Sequence, residues 1–391
     1  MPINVEAARA DTPGCRRVAH LNNAGAALPP QPVLDAVIDH LRLEAEIGGY
    51  EAAARRHDAV EHTYDALADL IGARRDEIAV VENATRAWDM AFYAIPFRPR
   101  ERILTSTAEY ASNALAFLQA AQRHDVQIDV VPDDESGQLD VDALRDMLDE
   151  RVRLVAISHI PTQNGLVNPA AEVGKEVARL VREHGALYLL DACQSAGQLP
   201  LDVREIGCDL LSGTGRKFLR GPRGTGFLYC SRRVLDRLEP PFVDLHAATW
   251  TGEREYELRD DARRFENWET YYAGKIGLGV AADYALDLGL DAIAQRVIRL
   301  AEALRARLRD TPGVSVHDRG TRQCGIVTFT LDGHDPDDVA GGLRASGVNV
   351  SVSPGGNARF DPHAVTPCVR ASVHYYNTEA ELDLLCAALP R

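Results

Sequence analysis

Between residues 78 and 230 the chain alternates short apolar runs with stretches of helical periodicity, and this alternation limits the fold more than any other feature. The runs at 78–81, 102–105, 126–131, 154–158, 187–191, 209–212 and 226–230 read as buried strands. Helix-like stretches such as 112–124 and 171–184 separate several of them. Strands covered on both faces and alternating with helices predict an α/β architecture with a mostly parallel sheet. On such sheets ligands collect at the carboxyl ends of the strands. Upstream, Val33, Leu34, Val37, Ile38 and Leu41 share one helical face. Val60, Tyr64, Leu67 and Leu70 share another, which Gly72 closes. After Pro240-Pro241 the composition shifts, and 273–290 and 291–310 predict two long helices. From about Gly313 the order strand, strand, helix, strand, strand, helix predicts a smaller α+β layer. A chain of 391 residues suits a large domain plus a smaller one. The expected organisation is an N-terminal segment 1–20, a large α/β domain 21–270, and linking helices with a small C-terminal domain over 271–391.

Composition narrows the function classes. A net charge of −15, from 43 basic and 58 acidic side chains, argues against nucleic acid or an anionic membrane as the main partner and is compatible with simple solubility. The seven cysteines (Cys15, Cys193, Cys208, Cys230, Cys324, Cys368 and Cys386) are scattered, odd in number and without a C-x-x-C pair. Neither a zinc site nor a disulfide framework is expected, and no metal is assigned. The start has no apolar signal core and no apolar run is long enough to span a bilayer, so a cytoplasmic location is the expectation. There is no internal repeat and no low-complexity segment.

Four local elements can carry chemistry. The apolar strand Leu187-Tyr188-Leu189-Leu190 ends in Asp191; a carboxylate there can pair with a protonated pyridine nitrogen, or serve as an ordinary turn aspartate. In Ser212-Gly213-Thr214-Gly215-Arg216-Lys217-Phe218 a lysine follows a strand inside a glycine-bearing turn, next to another cation. A neighbouring cation and partial desolvation both favour the neutral amine that Schiff-base chemistry needs; the alternative is a solvated basic loop. Gly221, Gly224 and Gly226 follow and permit tight backbone beside a ligand. Glu82-Asn83-Ala84-Thr85-Arg86-Ala87 links a strand to an apolar helix, where free N–H groups and a Thr hydroxyl make either a phosphate cradle or a plain cap. Tyr110, in Glu109-Tyr110 after the strand at 102–105, can stack on a ring or sit in the core.

In this order along the chain, the elements resemble the class V aminotransferase family of fold-type I pyridoxal-phosphate (PLP) enzymes. That family includes cysteine desulfurases, selenocysteine lyases and isopenicillin N epimerase-like proteins. The resemblance runs from Leu21-Asn22-Asn23-Ala24-Gly25 to Val369-Arg370-Ala371-Ser372 and is most specific from Asp191 to Lys217 and the glycines beyond. It implies PLP as cofactor, a small-molecule amino-acid substrate and a homodimer with shared active sites. Lys217 would hold PLP as an imine and shuttle the α-proton, and Asp191 would meet the pyridine nitrogen. Gln194 would bond the ring's phenolic oxygen, and Tyr110 stands where desulfurases place a stacking His. Ala84, Thr85 and Thr214 would hold the phosphate, with Arg216 in place of a His that often precedes the lysine. Thr162, with Asn164 as rival, falls near a cofactor-contacting Asn. Arg370 matches the arginine that grips the substrate carboxylate at two points, and Asn23 is placed in the same pocket. One segment departs from the desulfurase pattern: in Phe265-Glu266-Asn267-Trp268-Glu269-Thr270, Glu269 aligns with a Thr that reaches the partner subunit's phosphate. A carboxylate would repel that group, so Thr270 or a backbone group is the substitute expected.

The same resemblance separates the reactions. A desulfurase needs a mobile cysteine upstream of the carboxylate-binding arginine. Here Ser351-Val352-Ser353-Pro354-Gly355-Gly356-Asn357-Ala358-Arg359 contains none, and Cys368 lies two residues before Arg370, where it reads as core. The leading expectation is therefore β-elimination on a cysteine S-conjugate. The segments 216–226 and 265–270 look closest to the branch with ergothioneine-pathway sulfoxide lyases and epimerase-like proteins. Aminotransfer, epimerisation, and decarboxylation or oxidative deamination of an S-substituted cysteine stay open, because all share early steps. A non-catalytic regulator or scaffold would have lost Lys217, Asp191 or Arg370, and all three are present. The outer pocket wall, which selects the substrate, is assigned to loops 244–253 and 353–360.

Overall fold

The computed structural model describes residues 2–356, 359–361 and 366–390; residues 357 and 358 of the expected wall loop lie outside them. In chain order the strands are β1 (Ala19–His20), β2 (Ile78–Val81), β3 (Arg102–Ser106), β4 (Gln127–Val131), β5 (Val152–Ser158), β6 (Leu187–Asp191), β7 (Leu210–Thr214) and β8 (Gly226–Cys230). They are followed by β9 (Ala248–Gly252), β10 (Glu255–Leu258), β11 (Val314–Val316), β12 (Ile326–Leu331), β13 (Val348–Asn349), β14 (Ser351–Ser353) and β15 (Cys368–Ser372).

Seven strands build the central sheet in the order β2-β8-β7-β6-β5-β3-β4. Only β8 is reversed, running antiparallel to both β7 and β2. The chain explains the exception: no helix separates β7 from β8, and a direct return can only be antiparallel, whereas a parallel neighbour needs a crossover. Successive side chains on a strand point to opposite faces, and both faces here are apolar. Val155, Ile157, Tyr188 and Leu190 enter one core cluster with Val173 and Val177 of the helix Ala170–His184. Leu154, Ala156, Leu187 and Leu189 enter the other, with Trp88 and Phe117 of the helices Ala84–Phe92 and Ala111–His124. This double burial is why the strands read as continuous apolar runs. β4, at the edge, is only partly covered.

The sequence reading of 209–212 as a strand is corrected at its end: β7 continues through Gly213 to Thr214. That places the Lys217 turn directly at its carboxyl end.

The helices Tyr272–Leu288 and Leu290–Arg309 carry the chain to a second, antiparallel sheet of order β11-β12-β15-β14. Beyond the strands expected there, the structure adds the two-residue β13, which pairs in parallel with β1. The N-terminal segment thus joins the C-terminal layer, and an Arg9–Glu381 ion pair at 2.9 Å ties it there. β9 and β10 form a separate hairpin that leaves Trp250 73% exposed. Among the described residues no helix is long and apolar enough to cross a membrane.

Candidate active site

The carboxyl ends of β5, β6 and β7 open into a cavity of about 510 Å³. Asp191 ends β6 and Thr214 ends β7, so strand geometry alone brings these two side chains to one rim. Lys217 follows in a turn that Arg220 closes by donating its N–H to Lys217 O at 2.9 Å, with Arg220 itself at φ 62°. Ala84, Thr85, Tyr110, Thr162, Gln194 and Arg216 also line the cavity. Nine of the eleven site residues taken from the sequence therefore converge here.

The other two are Arg370 and Asn23. Arg370 lies in β15 and faces an adjoining space of about 400 Å³ that also contains Lys217, Tyr110, Thr162 and Arg216. Its Nε donates to Ser351 Oγ at 3.1 Å and its Nη1 to the Thr162 carbonyl at 3.0 Å. Burial brings its guanidinium down to about 10, still charged at neutral pH. Asn23 requires a correction. It is fully buried, and its amide donates to the Ser372 carbonyl at 2.7 Å and the His20 carbonyl at 3.2 Å. Its Oδ1 accepts the Tyr376 hydroxyl. Asn23 locks the chain to β15, and its neighbours Ala24 and Gly25 line the adjoining space instead. Asn164 is also removed as rival to Thr162, because it borders a different cleft with Asp133 and Arg319. Tyr110 is 40% exposed at the start of its helix, not in the core.

Three observations test the cavity against PLP. First, the chain has only three lysines. Lys175 is exposed on a helix. Lys275 is held 3.4 Å from Glu266. Of the three, Lys217 alone lines this cavity. Burial pushes its amine below the ordinary lysine range; Arg216 and Arg370 add to this, while Cys193 and Asp191 oppose it. Second, at the start of Ala84–Phe92 the Asn83 side chain caps the Arg86 N–H at 2.9 Å. The N–H groups of Ala84 and Thr85 have no partner among the described residues. Two free donors at a helix start suit a phosphate. The turn is pressed against β8: a Cβ on Gly226 would fall 2.5 Å from the Asn83 carbonyl carbon. Arg216 donates to Thr214 Oγ1 at 3.2 Å, beside this cradle. Third, Gln194 Oε1 is buried without a partner while its Nε2 donates to the Ala24 carbonyl at 3.2 Å. An orphaned polar atom on a cavity wall is what a bound ligand would satisfy. The residues present therefore fit the cofactor's aldehyde, phosphate and ring.

The sequence reading missed two residues beside Asp191. Asn113 donates to Asp191 Oδ2 at 3.0 Å, and Cys193, whose N–H donates to Asp191 Oδ1 at 2.9 Å, lines the cavity. Asn113 lies four positions after Glu109, one helical turn into its helix, and that spacing is the signal that could have found it. The departing segment also resolves. Glu266 is buried, accepts the Val80 N–H at 2.7 Å and receives the Tyr64 hydroxyl at 2.8 Å. Burial alone would raise Glu266, but Lys275, His246 and the Val80 N–H hold it down near 2. Glu269 and Thr270 border a narrow groove with Gly224 and Thr225.

Comparison with known proteins adds the relatives. A family model described as aminotransferase class-V matches residues 19–385. A "probable cysteine desulfurase" of Methanothermobacter thermautotrophicus is 32% identical over 392 residues, covering 98% of this chain and 96% of the relative. The apo structure of a cysteine desulfurase from Thermococcus onnurineus superposes with a TM-score of 0.89 at 26% identity, covering 99% of this chain and 97% of the other. The cystine C–S lyase C-DES, in complex with cysteine persulfide, superposes with a TM-score of 0.86 at 24% identity, covering 96% and 98%.

Proposed function

This chain belongs to the aminotransferase class-V family, and from that premise we propose that it is a C–S β-lyase that cleaves a cysteine S-conjugate without forming a persulfide on its own thiols. It is a PLP-dependent enzyme acting on an amino acid. When bound, PLP supplies an electrophilic aldehyde and an electron sink for charge left at Cα. The chain's residues do the rest. Asp191 would hold a proton on the ring nitrogen, and Ala84, Thr85, Thr214 and Arg216 would anchor the phosphate. Tyr110 would cover the ring, and Arg370 would grip the substrate α-carboxylate and hold Cα within reach of Lys217. Lys217 Nζ takes that proton. The C–S bond breaks, sulfur leaves as a thiol, and water completes the balance to pyruvate and ammonium.

The carrying observation is where the cysteines lie. Cys193 lines the cavity, but burial pushes its thiol well up, and Asp191 adds to the effect. Cys368 is buried in β15 and pushed up to about 11, again by burial. A protonated, immobile thiol is a poor nucleophile, whereas elimination needs none. The relatives' names favour a second reading, a desulfurase that uses Cys193. We also take the enzyme to be a homodimer, which Phe242, Leu245, Trp250 and Trp268, all exposed, would help to form.

The test is a product assay with a cysteine S-conjugate. The lyase reading expects pyruvate, ammonia and a thiol or sulfenate in equal amounts. Alanine would support the desulfurase. Keto acid made only with an amino acceptor would mean an aminotransferase, an intact racemised amino acid an epimerase, and carbon dioxide a decarboxylase.

A further inference from the structure

Behind Asp191 sits a second carboxylate, Glu109, that the proposed reaction does not use. It is buried in the turn between β3 and the helix Ala111–His124. Its Oε1 accepts the Ser158 hydroxyl at 2.7 Å, the Tyr110 N–H at 2.7 Å and the Asn113 amide at 2.9 Å. Its Oε2 accepts the Thr105 hydroxyl at 3.1 Å. Glu109 thus ties together the ends of β3 and β5 and the helix that begins at Tyr110. The Asn113 amide nitrogen that donates to Glu109 also donates to Asp191 Oδ2. One amide is held between two buried carboxylates, with a hydrogen for each.

The charged group facing Glu109 is Asp191 on β6. β3 and β5 present the Thr105 and Ser158 hydroxyls, and the helix presents the Asn113 amide and the Tyr110 N–H. The negative charge of Asp191 so close by makes ionisation of Glu109 harder in a low-dielectric site. Burial raises Glu109 to about 7, with Asp191 adding to the rise and the Ser158, Asn113 and Tyr110 donors opposing it.

We propose that Glu109 is a positioning residue for the reaction: through Asn113 it fixes the Asp191 carboxylate, and by losing its own proton it strengthens the hold of Asp191 on positive charge in the cavity. This rests on the reading that Asp191 meets the protonated ring nitrogen. The sign follows from electrostatics. An ionised Glu109 adds negative potential behind Asp191 and favours the protonated ring; a neutral residue there releases that proton at lower pH.

The experiment uses holoenzyme of the wild type, Glu109→Gln, Asn113→Ala and Asp191→Asn. The cofactor's visible band and the infrared carboxylic-acid band are each followed against pH. The wild type should show a carboxyl titrating near pH 7 that Glu109→Gln lacks. The ring-proton midpoint in Glu109→Gln should move toward lower pH by about one unit, a tenfold change in proton affinity, and Asn113→Ala should move it the same way. An unmoved midpoint in Glu109→Gln, with thermal stability lowered evenly across pH, would make Glu109 purely structural and overturn the proposal. If Glu109→Gln does not fold, Asn113→Ala decides alone: an unmoved midpoint overturns it. Asp191→Asn separates the layers, because a wild-type band in that variant would remove the role of Asp191 itself.

Discussion

Lys217 and Lys275 are both buried, 9% and 4% exposed, yet their surroundings differ. Lys275 lies within the helix Tyr272–Leu288, on its buried side, with Glu266 at 3.4 Å and the Tyr64 hydroxyl in contact. Lys217 lies at the mouth of the strand ends, in a cavity it shares with Arg216, near Arg370. A buried amine with a carboxylate partner is a structural charge, and breaking such a pair is costly. Burial lowers both amines, but Lys217, with Arg216 beside it and the cavity before it, has room to react with a ligand. Burial alone does not make a reactive lysine; burial, a cationic neighbourhood and room for a ligand do.

This contrast can be broken by mutation. The largest effect should come from Lys217→Ala, which removes both the covalent anchor and the base. Borohydride should then fix no cofactor to the chain, and turnover should fall by at least the 10²–10⁴-fold that a positioned base supplies, on an order-of-magnitude basis. A covalent adduct that survives, mapped by peptide mass to Lys275 or Lys175, would reverse the assignment. Asp191→Asn should follow, slowing Cα-proton exchange by roughly 10²-fold or more while cofactor stays bound through the phosphate cradle; isotope exchange followed by NMR measures it.

Lys275→Met should act on stability. Removing its buried cationic partner costs Glu266 up to about 3–5 kcal/mol, lessened by the Val80 N–H, the Tyr64 hydroxyl and His246 that remain; this is visible in denaturant unfolding, and the cofactor should still attach to Lys217. Arg370→Ala should cost on the order of 2–4 kcal/mol of substrate binding, read as a raised KM with an unchanged cofactor spectrum. The smallest effect should be that of Cys368→Ala, which should keep most activity, any loss following its melting temperature.

What the sequence made legible follows the same physics. The parallel sheet could be read because its strands are buried on both faces and keep unbroken apolar runs. Asp191, Lys217 and the Asn83–Thr85 turn could be read because strand ends and helix starts put their chemistry at fixed places. Asn23 misled because its pocket role came by resemblance, while its actual contacts, the Ser372 carbonyl and the Tyr376 hydroxyl, join residues some 350 positions away in the chain. The Glu109–Asn113–Asp191 link and the Glu266–Lys275 pair stayed hidden for a similar reason. Each depends on two elements meeting in space, and periodicity describes only one element at a time.

The central claim, that a sulfur leaves the substrate without resting on the protein, is tested most directly by intact-protein mass spectrometry of the holoenzyme during turnover of a cysteine S-conjugate, with no reductant present. The account predicts that the chain's mass stays that of the unmodified protein with pyruvate accumulating. A chain heavier by the substrate's sulfur together with its substituent (by one sulfur atom when free cysteine is the substrate), located on Cys193 or Cys368 and accompanied by alanine, would contradict it.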